Sequence, residues 1–144
     1  MTRDAVGIAQ ASAEAMWADD KATRGMGMEI ERVGPGLAVL SMSVAANMVN
    51  GHGFCHGGYI FSLADSAFAF ACNSHNQRHV AQHCQISYLA PGRLGMRLIA
   101  EARERHRGER SGLYDVTVKC EEGEVIAEFR GHSRSIPGTL VAQS

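Results

Sequence analysis

The sequence predicts an α+β fold in which one antiparallel sheet encloses one helix. Residues 59–72 are apolar on nearly every side, as expected for a buried helix. Two extended segments precede this helix, and four segments that alternate apolar with polar side chains follow it. Such alternation is typical of antiparallel strands with one buried face. Because helical and extended segments are segregated along the chain, we predict the α+β class.

The individual elements follow from periodicity and turn residues. A helix is predicted over residues 4–20. Strands over residues 26–33 and 37–45 flank the tight turn Gly34-Pro35-Gly36 and should form a hairpin. The buried helix comes next. The last four strands are predicted over residues 79–89, 94–106, 112–120 and 124–133.

Length and composition narrow the class of protein. A chain of 144 residues, 45% hydrophobic and 20% charged, is expected to form one domain over residues 1–144. A net charge of −1 gives no reason to expect nucleic acid as a partner. The apolar run at 59–72 is too short for a membrane span, and the first residues do not resemble a secretory signal. Four cysteines without CxxC spacing predict reduced thiols and a cytoplasmic location.

Asp65 is the one ionisable residue in the apolar helix. Carboxylates are rarely buried unless they are paired or take part in chemistry. Asp65 is therefore the first candidate for a general base or a nucleophile. The alternative is a structural acid whose hydrogen bonds hold two copies of the chain together.

The turn His56-Gly57-Gly58 forms the start of this helix. The first backbone N–H groups of a helix have no intrahelical partner, and the helix dipole favours negative charge beside them. Because glycine has no side chain, a substrate carbonyl could approach these groups closely. The turn therefore predicts an oxyanion hole.

Two other interpretations of the loop before the helix remain open from the residues alone. Asn50 is equally well explained as a plain turn residue. His52, Cys55 and His56 could form a zinc cluster by residue type, but no fourth ligand follows at a diagnostic spacing. The glycines favour backbone approach by a substrate instead.

The spacing of Gly57 and Asp65 imposes a geometric condition. They lie eight positions apart, which is about 12 Å along a straight helix. A base and an oxyanion donor must both lie about 3 Å from one reacting centre. Two antiparallel copies of the helix could meet this condition if Gly57 of one faced Asp65 of the other. The sequence therefore predicts an active site shared across a dimer.

Several motifs together carry a family resemblance. They are Asn50-Gly51-His52, Cys55-His56-Gly57-Gly58, Phe61-Ser62-Leu63-Ala64-Asp65 and Ala71-Cys72-Asn73-Ser74. This series resembles the hot-dog-fold acyl-CoA thioesterases and, within them, the PaaI type of the phenylacetate degradation pathway. The likeness extends over almost the whole chain.

The resemblance implies a fold and an assembly. A hot-dog fold has a long central helix wrapped by a curved antiparallel sheet, here of about five to six strands, with an additional N-terminal helix. Two chains would join their sheets into a homodimer with shared sites, and dimers would pair into a homotetramer.

The resemblance also implies roles for individual residues. Asp65 would be the catalytic carboxylate, and the Gly57 N–H would bind the thioester oxygen. Asn50 would position the water or the carboxylate, and His56 would order the loop or contact the thioester. Some relatives place a Ser or Thr on the strand after the helix, where this chain has Ala81-Gln82-His83, so Gln82 is the candidate for that role. The predicted substrate-binding residues are Gly58, Gln82 and Gly92.

Three functions are compatible with this pattern. The first is hydrolysis of a small aryl-acyl-CoA, such as hydroxyphenylacetyl-CoA, to free acid and coenzyme A, with no metal or redox cofactor. The second is an enoyl-CoA hydratase or dehydratase of the same fold, which would use His56 and Asp65 together. The third is a non-catalytic oligomer that binds acyl-CoA.

Overall fold

The computed structural model of the protein describes residues 3–142, which form helices and one six-stranded sheet. The helices are α1 (Ala5–Asp19), α2 (Lys21–Gly25) and α3 (Gly57–Cys72), with a short 3-10 turn at Ala46–Met48. The strands are β1 (Glu29–Gly34), β2 (Leu37–Ser43), β3 (His79–Tyr88), β4 (Arg97–Arg107), β5 (Ser111–Cys120) and β6 (Val125–Ser135). Within residues 3–142, no helix is both long and apolar enough to cross a membrane.

All neighbouring strands of the sheet are antiparallel, in the order β1-β2-β4-β5-β6-β3. The register places Val116 of β5 between Ala102 of β4 and Phe129 of β6. After α3 the chain crosses to the far side of the sheet, so β3 pairs with β6 and forms one edge. The predicted α+β arrangement of a central helix on one antiparallel sheet is thus confirmed.

The hydrophobic core lies between α3 and the concave face of the sheet. Small residues of the helix, Ala64, Ala67 and Ala71, are fully buried and allow the helix to lie close to the strands. Larger side chains fill the remaining space. The largest of the fully buried apolar ones are Phe68, Phe70, Leu40, Met42, Leu63, Leu98 and Ile126. Burial of each large apolar side chain stabilises the fold by about 1.5–3 kcal/mol.

The helix predicted over residues 4–20 is correct to one residue at each end, but α2 was not predicted. Asp20 ends α1 and caps α2, because its carboxylate accepts hydrogen bonds from the Thr23 N–H at 2.9 Å and the Thr23 hydroxyl at 2.6 Å. The Thr23 hydroxyl also lies 2.8 Å from the Ser66 hydroxyl of α3. The cap therefore joins the N-terminal segment to the central helix.

The prediction that α3 is buried on every side is wrong for the single chain. Gly58, Ser62, Asp65 and Ala69 form a stripe along the helix that stays partly exposed. The stripe exists because the sheet of one chain curves around only part of the helix. The uncovered side of α3 is therefore available to a second molecule.

The edge strand β3 departs from its predicted alternation. Most of its residues are exposed on both faces, and the exposed fractions of Val80, Tyr88 and the adjoining Leu89 are 46%, 50% and 61%. The N–H and carbonyl of His79, at the start of the strand, bind Asn73; beyond it the backbone groups on one side of the strand have no partner among residues 3–142, since β6 pairs only with the other side. Long apolar edges of this kind are a template for pairing with another strand.

Gly131 of β6 provides a test of the packing between sheet and helix. A Cβ atom at this position would lie 2.8 Å from three ring atoms of Phe68, which is buried and cannot move aside. We expect Gly131→Ala to lower the free energy of unfolding by about 1–3 kcal/mol through overpacking. Urea denaturation would measure the loss. In the control Gly25→Ala the new methyl group meets no atom within 4 Å, so its stability should not fall.

Candidate active site

The start of α3 is fixed by the side chain of its own cap. His56 precedes the helix, and its Nδ1 accepts a hydrogen bond from the Gly58 N–H at 2.9 Å. A ring nitrogen that accepts a hydrogen bond carries no proton, so this geometry assigns the imidazole proton to Nε2. The Gly58 N–H is therefore occupied inside the protein. In this structure His56 therefore caps the helix start.

Gly57 offers the free backbone donor at this helix start. No group within residues 3–142 accepts a hydrogen bond from its N–H. On the other side of the residue, the Tyr88 hydroxyl donates a hydrogen bond to the Gly57 carbonyl at 2.9 Å. A free N–H at a helix N-terminus is suited to an oxyanion, because the hydrogen bond and the helix dipole act in the same direction.

Asn50 shapes the loop that leads into α3. Its side-chain Oδ1 accepts hydrogen bonds from the His52 N–H at 2.9 Å and the Phe54 N–H at 3.2 Å. Its backbone N–H donates to the Phe54 carbonyl at 2.7 Å. Asn50 is therefore a turn residue in this fold. Since Oδ1 already accepts two hydrogen bonds, the Nδ2 amide is the part of the side chain that could contact water or substrate.

Gly92 lies beneath the same loop. Its carbonyl accepts a hydrogen bond from the Cys55 N–H at 2.8 Å, and a Cβ atom at this position would lie only 3.0 Å from the Cys55 Cβ. Gly92 is buried, so it packs against the loop from the interior of the protein. The Cys55 Sγ contacts the His56 carbonyl at 3.6 Å.

An apolar cleft of about 400 Å³ opens at the start of α3. It is lined by Phe54, Cys55, Gly57, Ile60, Tyr88 and residues 89–92. Arg93 lies at its edge, with its guanidinium carbon 5.4 Å from the centre of the Phe54 ring. The cleft has the size and the apolar lining of a small-molecule site, and Gly57 is part of its wall.

Asp65 lies two turns further along α3, on the partly exposed stripe. Burial raises the pKa of its carboxyl, and among residues 3–142 neither a hydrogen bond nor a neighbouring charge offsets this effect. Burial, together with the Asp65 charge, raises the pKa of Cys84 in β3 to about 11. Asp65 therefore lies on the side of α3 that faces β3, the open edge strand of the sheet.

Gln82 lies in β3 at a β-bulge. The pairing with β6 shifts between Ala81 and His83, so Gln82 is the extra residue of the bulge. Its side chain is exposed. Bulges redirect side chains at the edges of sheets. Gln82 is thus the redirected residue of β3, the strand that the Asp65 side of α3 faces.

One chain does not bring Gly57 and Asp65 together. Both lie on α3, eight residues apart, which corresponds to about 12 Å along the axis. The single chain therefore contains two half-sites, an amide donor at the cleft and a carboxylate on the open side of the helix.

Two other candidate sites, a groove beside α1 and a cluster of His and Cys residues, are less well supported by the structure. A groove of about 610 Å³ between α1 and β1 is larger than the cleft, but it lies away from the start of α3 and is lined by Gln10, Ala13, Glu14, Trp17, Glu29, Ile30 and Val33. The His52, Cys55 and His56 cluster does not form a metal site. Among residues 3–142, no group of three His, Cys, Asp or Glu side chains is placed to hold a metal ion.

Comparison with known proteins gives the family. Residues 52–127 match the model of the thioesterase superfamily. The acyl-coenzyme A thioesterase PaaI of Escherichia coli is 43% identical over 92% of this chain and 95% of its own length. The chain belongs to the thioesterase superfamily. The expected resemblance to PaaI-type thioesterases, and with it the class of enzyme, is confirmed.

Solved structures of similar proteins agree with the fold. The E. coli PaaI protein, from the phenylacetic acid degradation operon, superimposes with a TM-score of 0.93 over 94% of this chain and 99% of its own. A mutant of PaaI from Thermus thermophilus is 35% identical, with a TM-score of 0.78 over 81% of this chain and all of its own. A Streptococcus mutans protein bound to acetyl-CoA is 27% identical, with a TM-score of 0.75 over 78% of this chain and 90% of its own. The predicted hot-dog fold is confirmed.

Several residues around the cleft were not predicted from the sequence, and Tyr88 is the one among them that contacts Gly57 by a hydrogen bond. Its hydroxyl reaches Gly57 across 31 positions of the chain. The only signal in the sequence is an aromatic residue at the end of a strand, shortly before Pro91-Gly92. That pattern is common and carries no information about the contact.

Proposed function

We propose that this member of the thioesterase superfamily hydrolyses acyl-CoA thioesters at sites completed by two copies of the chain. The observation that carries the proposal is the pair of half-sites on α3, with a free Gly57 N–H at one end of an apolar cleft and an unpaired Asp65 further along. Antiparallel pairing of the two helices would bring Asp65 of one copy to Gly57 of the other.

The open edge of the sheet supports this assembly. The exposed apolar side chains Val80 and Tyr88 and the unpaired backbone of β3 lie on the side of the fold that Asp65 faces. Pairing β3 with β3 of a second copy would satisfy the free backbone groups and cover the open stripe of α3. Dimers would then pair into a homotetramer.

The chemistry uses water as the only co-substrate and needs no metal or redox cofactor. Ionised Asp65 takes a proton from water while the water oxygen bonds to the thioester carbon. The carbonyl oxygen becomes an oxyanion that accepts a hydrogen bond from the Gly57 N–H of the other copy. The C–S bond then breaks, and the proton held by Asp65 passes to the leaving thiolate. The products are the carboxylic acid and coenzyme A.

The acyl group that we propose is a small aryl-acetyl group, such as phenylacetyl or hydroxyphenylacetyl. The cleft is apolar, and its volume of about 400 Å³ accommodates a single aromatic ring with room for part of the thioester arm. The operon of the E. coli relative points to the same chemistry. We place the activity in the cytoplasm, which agrees with four free cysteines.

A hydratase is the second candidate, and one contact argues against it. That reaction would need His56 as a base or acid at the reacting carbons. The Nδ1 of His56 already holds the Gly58 N–H, so only the protonated Nε2 is left for chemistry. The imidazole therefore cannot act as a base without releasing the helix start.

A thiol-release assay tests the proposed function. The purified protein would be incubated with phenylacetyl-CoA, hydroxyphenylacetyl-CoA, acetyl-CoA and an aryl enoyl-CoA, and free coenzyme A would be followed with a disulfide reagent. We expect thiol release to be fastest from the two aryl-acetyl esters. Hydration of the enoyl-CoA without thiol release would favour the hydratase, and tight binding without any reaction would favour a binding protein.

A further inference from the structure

Tyr88 makes two distinct contacts with the residue that offers the free amide. Its hydroxyl donates a hydrogen bond to the Gly57 carbonyl at 2.9 Å. Its ring covers the α-carbon, since a Cβ atom on Gly57 would lie 2.9 Å from Tyr88 Cζ and 3.2 Å from Cε1. The tyrosine comes from the end of β3, so the contacts link the sheet edge to the start of α3.

The peptide between Gly57 and Gly58 is held at both ends. Tyr88 binds its carbonyl oxygen, and His56 Nδ1 binds its N–H at 2.9 Å. The three groups form one chain of hydrogen bonds, from hydroxyl to carbonyl and from amide to imidazole. Hydrogen bonds arranged in series polarise one another and strengthen the whole arrangement.

Two adjacent glycines need this restraint. Glycine has more backbone freedom than any other residue, so a Gly-Gly helix start does not hold one orientation by itself. An oxyanion donor is effective only when it is oriented before the charge develops. Restraint of the following peptide fixes the backbone torsions around Gly57, and its N–H then keeps its direction into the cleft.

We propose that Tyr88 is a positioning residue for the oxyanion hole, acting through its hydroxyl on the Gly57-Gly58 peptide and through its ring on the Gly57 α-carbon. The inference rests on the proposed function, because the oxyanion exists only if a thioester is cleaved. Tyr88 and Gly57 belong to the same chain, so each copy carries a complete donor half-site.

The protonation state of the phenol suits this role. Tyr88 is half exposed, and the partial burial of its phenol, with a contribution from the nearby Cys55, raises its pKa above the ordinary value. The hydroxyl therefore remains a donor throughout the neutral and mildly alkaline range. A phenolate could not donate this hydrogen bond and would repel the Gly57 carbonyl.

Tyr88→Phe tests the hydroxyl directly, because the ring is kept. With phenylacetyl-CoA as substrate, we expect kcat to fall about 5- to 10-fold, as for loss of one hydrogen bond, and KM to stay within about twofold. Amide hydrogen exchange at Gly58, measured by NMR, should become faster in the same variant. The matched control is Tyr114→Phe. This change also removes a tyrosine hydroxyl, one that donates a hydrogen bond of 2.8 Å to Glu104 and lies away from the cleft. The control should lose stability but keep its kcat.

A second variant covers the case in which Tyr88→Phe folds poorly. Incorporation of 3,5-difluorotyrosine at position 88 keeps both ring and hydroxyl but lets the phenol ionise at lower pH. Activity should then fall as the phenol ionises, in a range where the wild-type protein keeps its rate.

The outcomes separate this inference from the proposed function. A wild-type protein that releases no thiol from any ester contradicts the proposed function itself. A wild-type protein that is active, beside a Tyr88→Phe variant with wild-type kcat or unchanged Gly58 exchange, overturns the role of Tyr88 alone.

Discussion

Replacement of Asp65 by asparagine is expected to abolish thioester hydrolysis and, at the same time, to make the folded chain more stable. The amide has the shape of the carboxyl group but cannot take a proton from water. Loss of a general base lowers kcat by about 10²- to 10⁴-fold. The thiol-release assay measures this loss at pH 7.

The gain in stability follows from the direction of the Asp65 pKa. Burial raises this pKa, so the folded chain holds the proton more tightly than the unfolded chain. Stability therefore falls as the pH rises from the unfolded pKa through the folded pKa, and at pH 7 the ionised carboxylate destabilises the fold. The asparagine side chain removes that charge. The difference in Tm between Asp65→Asn and wild type should be present at pH 7 and vanish in acid, where both side chains are neutral.

Asp115 provides a control, because its pKa is shifted in the opposite direction to that of Asp65 and the expected change in Tm therefore has the opposite sign. Hydrogen bonds from Arg130 at 2.7 and 2.9 Å lower the pKa of its carboxyl, and the charges of Arg130 and Arg105 add to the effect despite partial burial. Asp115→Asn should therefore lower the Tm at pH 7 and leave kcat unchanged. An Asp65→Asn variant that still hydrolyses the thioester would refute the catalytic role of Asp65, and a variant with a lower Tm than wild type at pH 7 would contradict the raised pKa.

Gly57→Ala is expected to cause the second large loss. The added methyl group would lie 2.9 to 3.2 Å from three atoms of Tyr88, so either the ring or the helix start must move. The N–H would then no longer point to the oxyanion, and loss of one such donor lowers kcat by about 10²- to 10³-fold. KM should change much less, because the oxyanion forms only in the transition state. Steady-state kinetics separate the two parameters.

The matched control is again Gly25→Ala, whose methyl group meets nothing within 4 Å. Its kcat and KM should both equal those of the wild type. If Gly57→Ala instead raised KM and left kcat intact, the glycine would be a substrate contact and not an oxyanion donor.

Local patterns predicted much of this molecule. Alternation of apolar residues together with turn residues located all six strands, and the apolar run between Tyr59 and Cys72 located α3. The order of the elements then limited the possible topologies. Asp65 and Gly57 stood out because an acid in an apolar helix and a glycine at its start are unusual choices for packing alone.

Long-range contacts could not be predicted in this way. The cap that starts α2 depends on Asp20 in a charged segment that resembles an ordinary helix end. The exposure of β3 depends on its place at the edge of the sheet, which periodicity does not reveal. The use of His56 Nδ1 to hold Gly58 and the contact of Tyr88 with Gly57 both depend on three-dimensional geometry.

Mixing two inactive variants tests the shared site most directly. Asp65→Asn and Gly57→Ala chains, carrying different affinity tags, would be refolded together and assayed for thiol release. Each mixed dimer would have one site with both Asp65 and Gly57 intact, so random pairing should restore about a quarter of wild-type activity. Mixed dimers that form, as shown by tandem purification, but remain as inactive as either parent would contradict a site built from two chains.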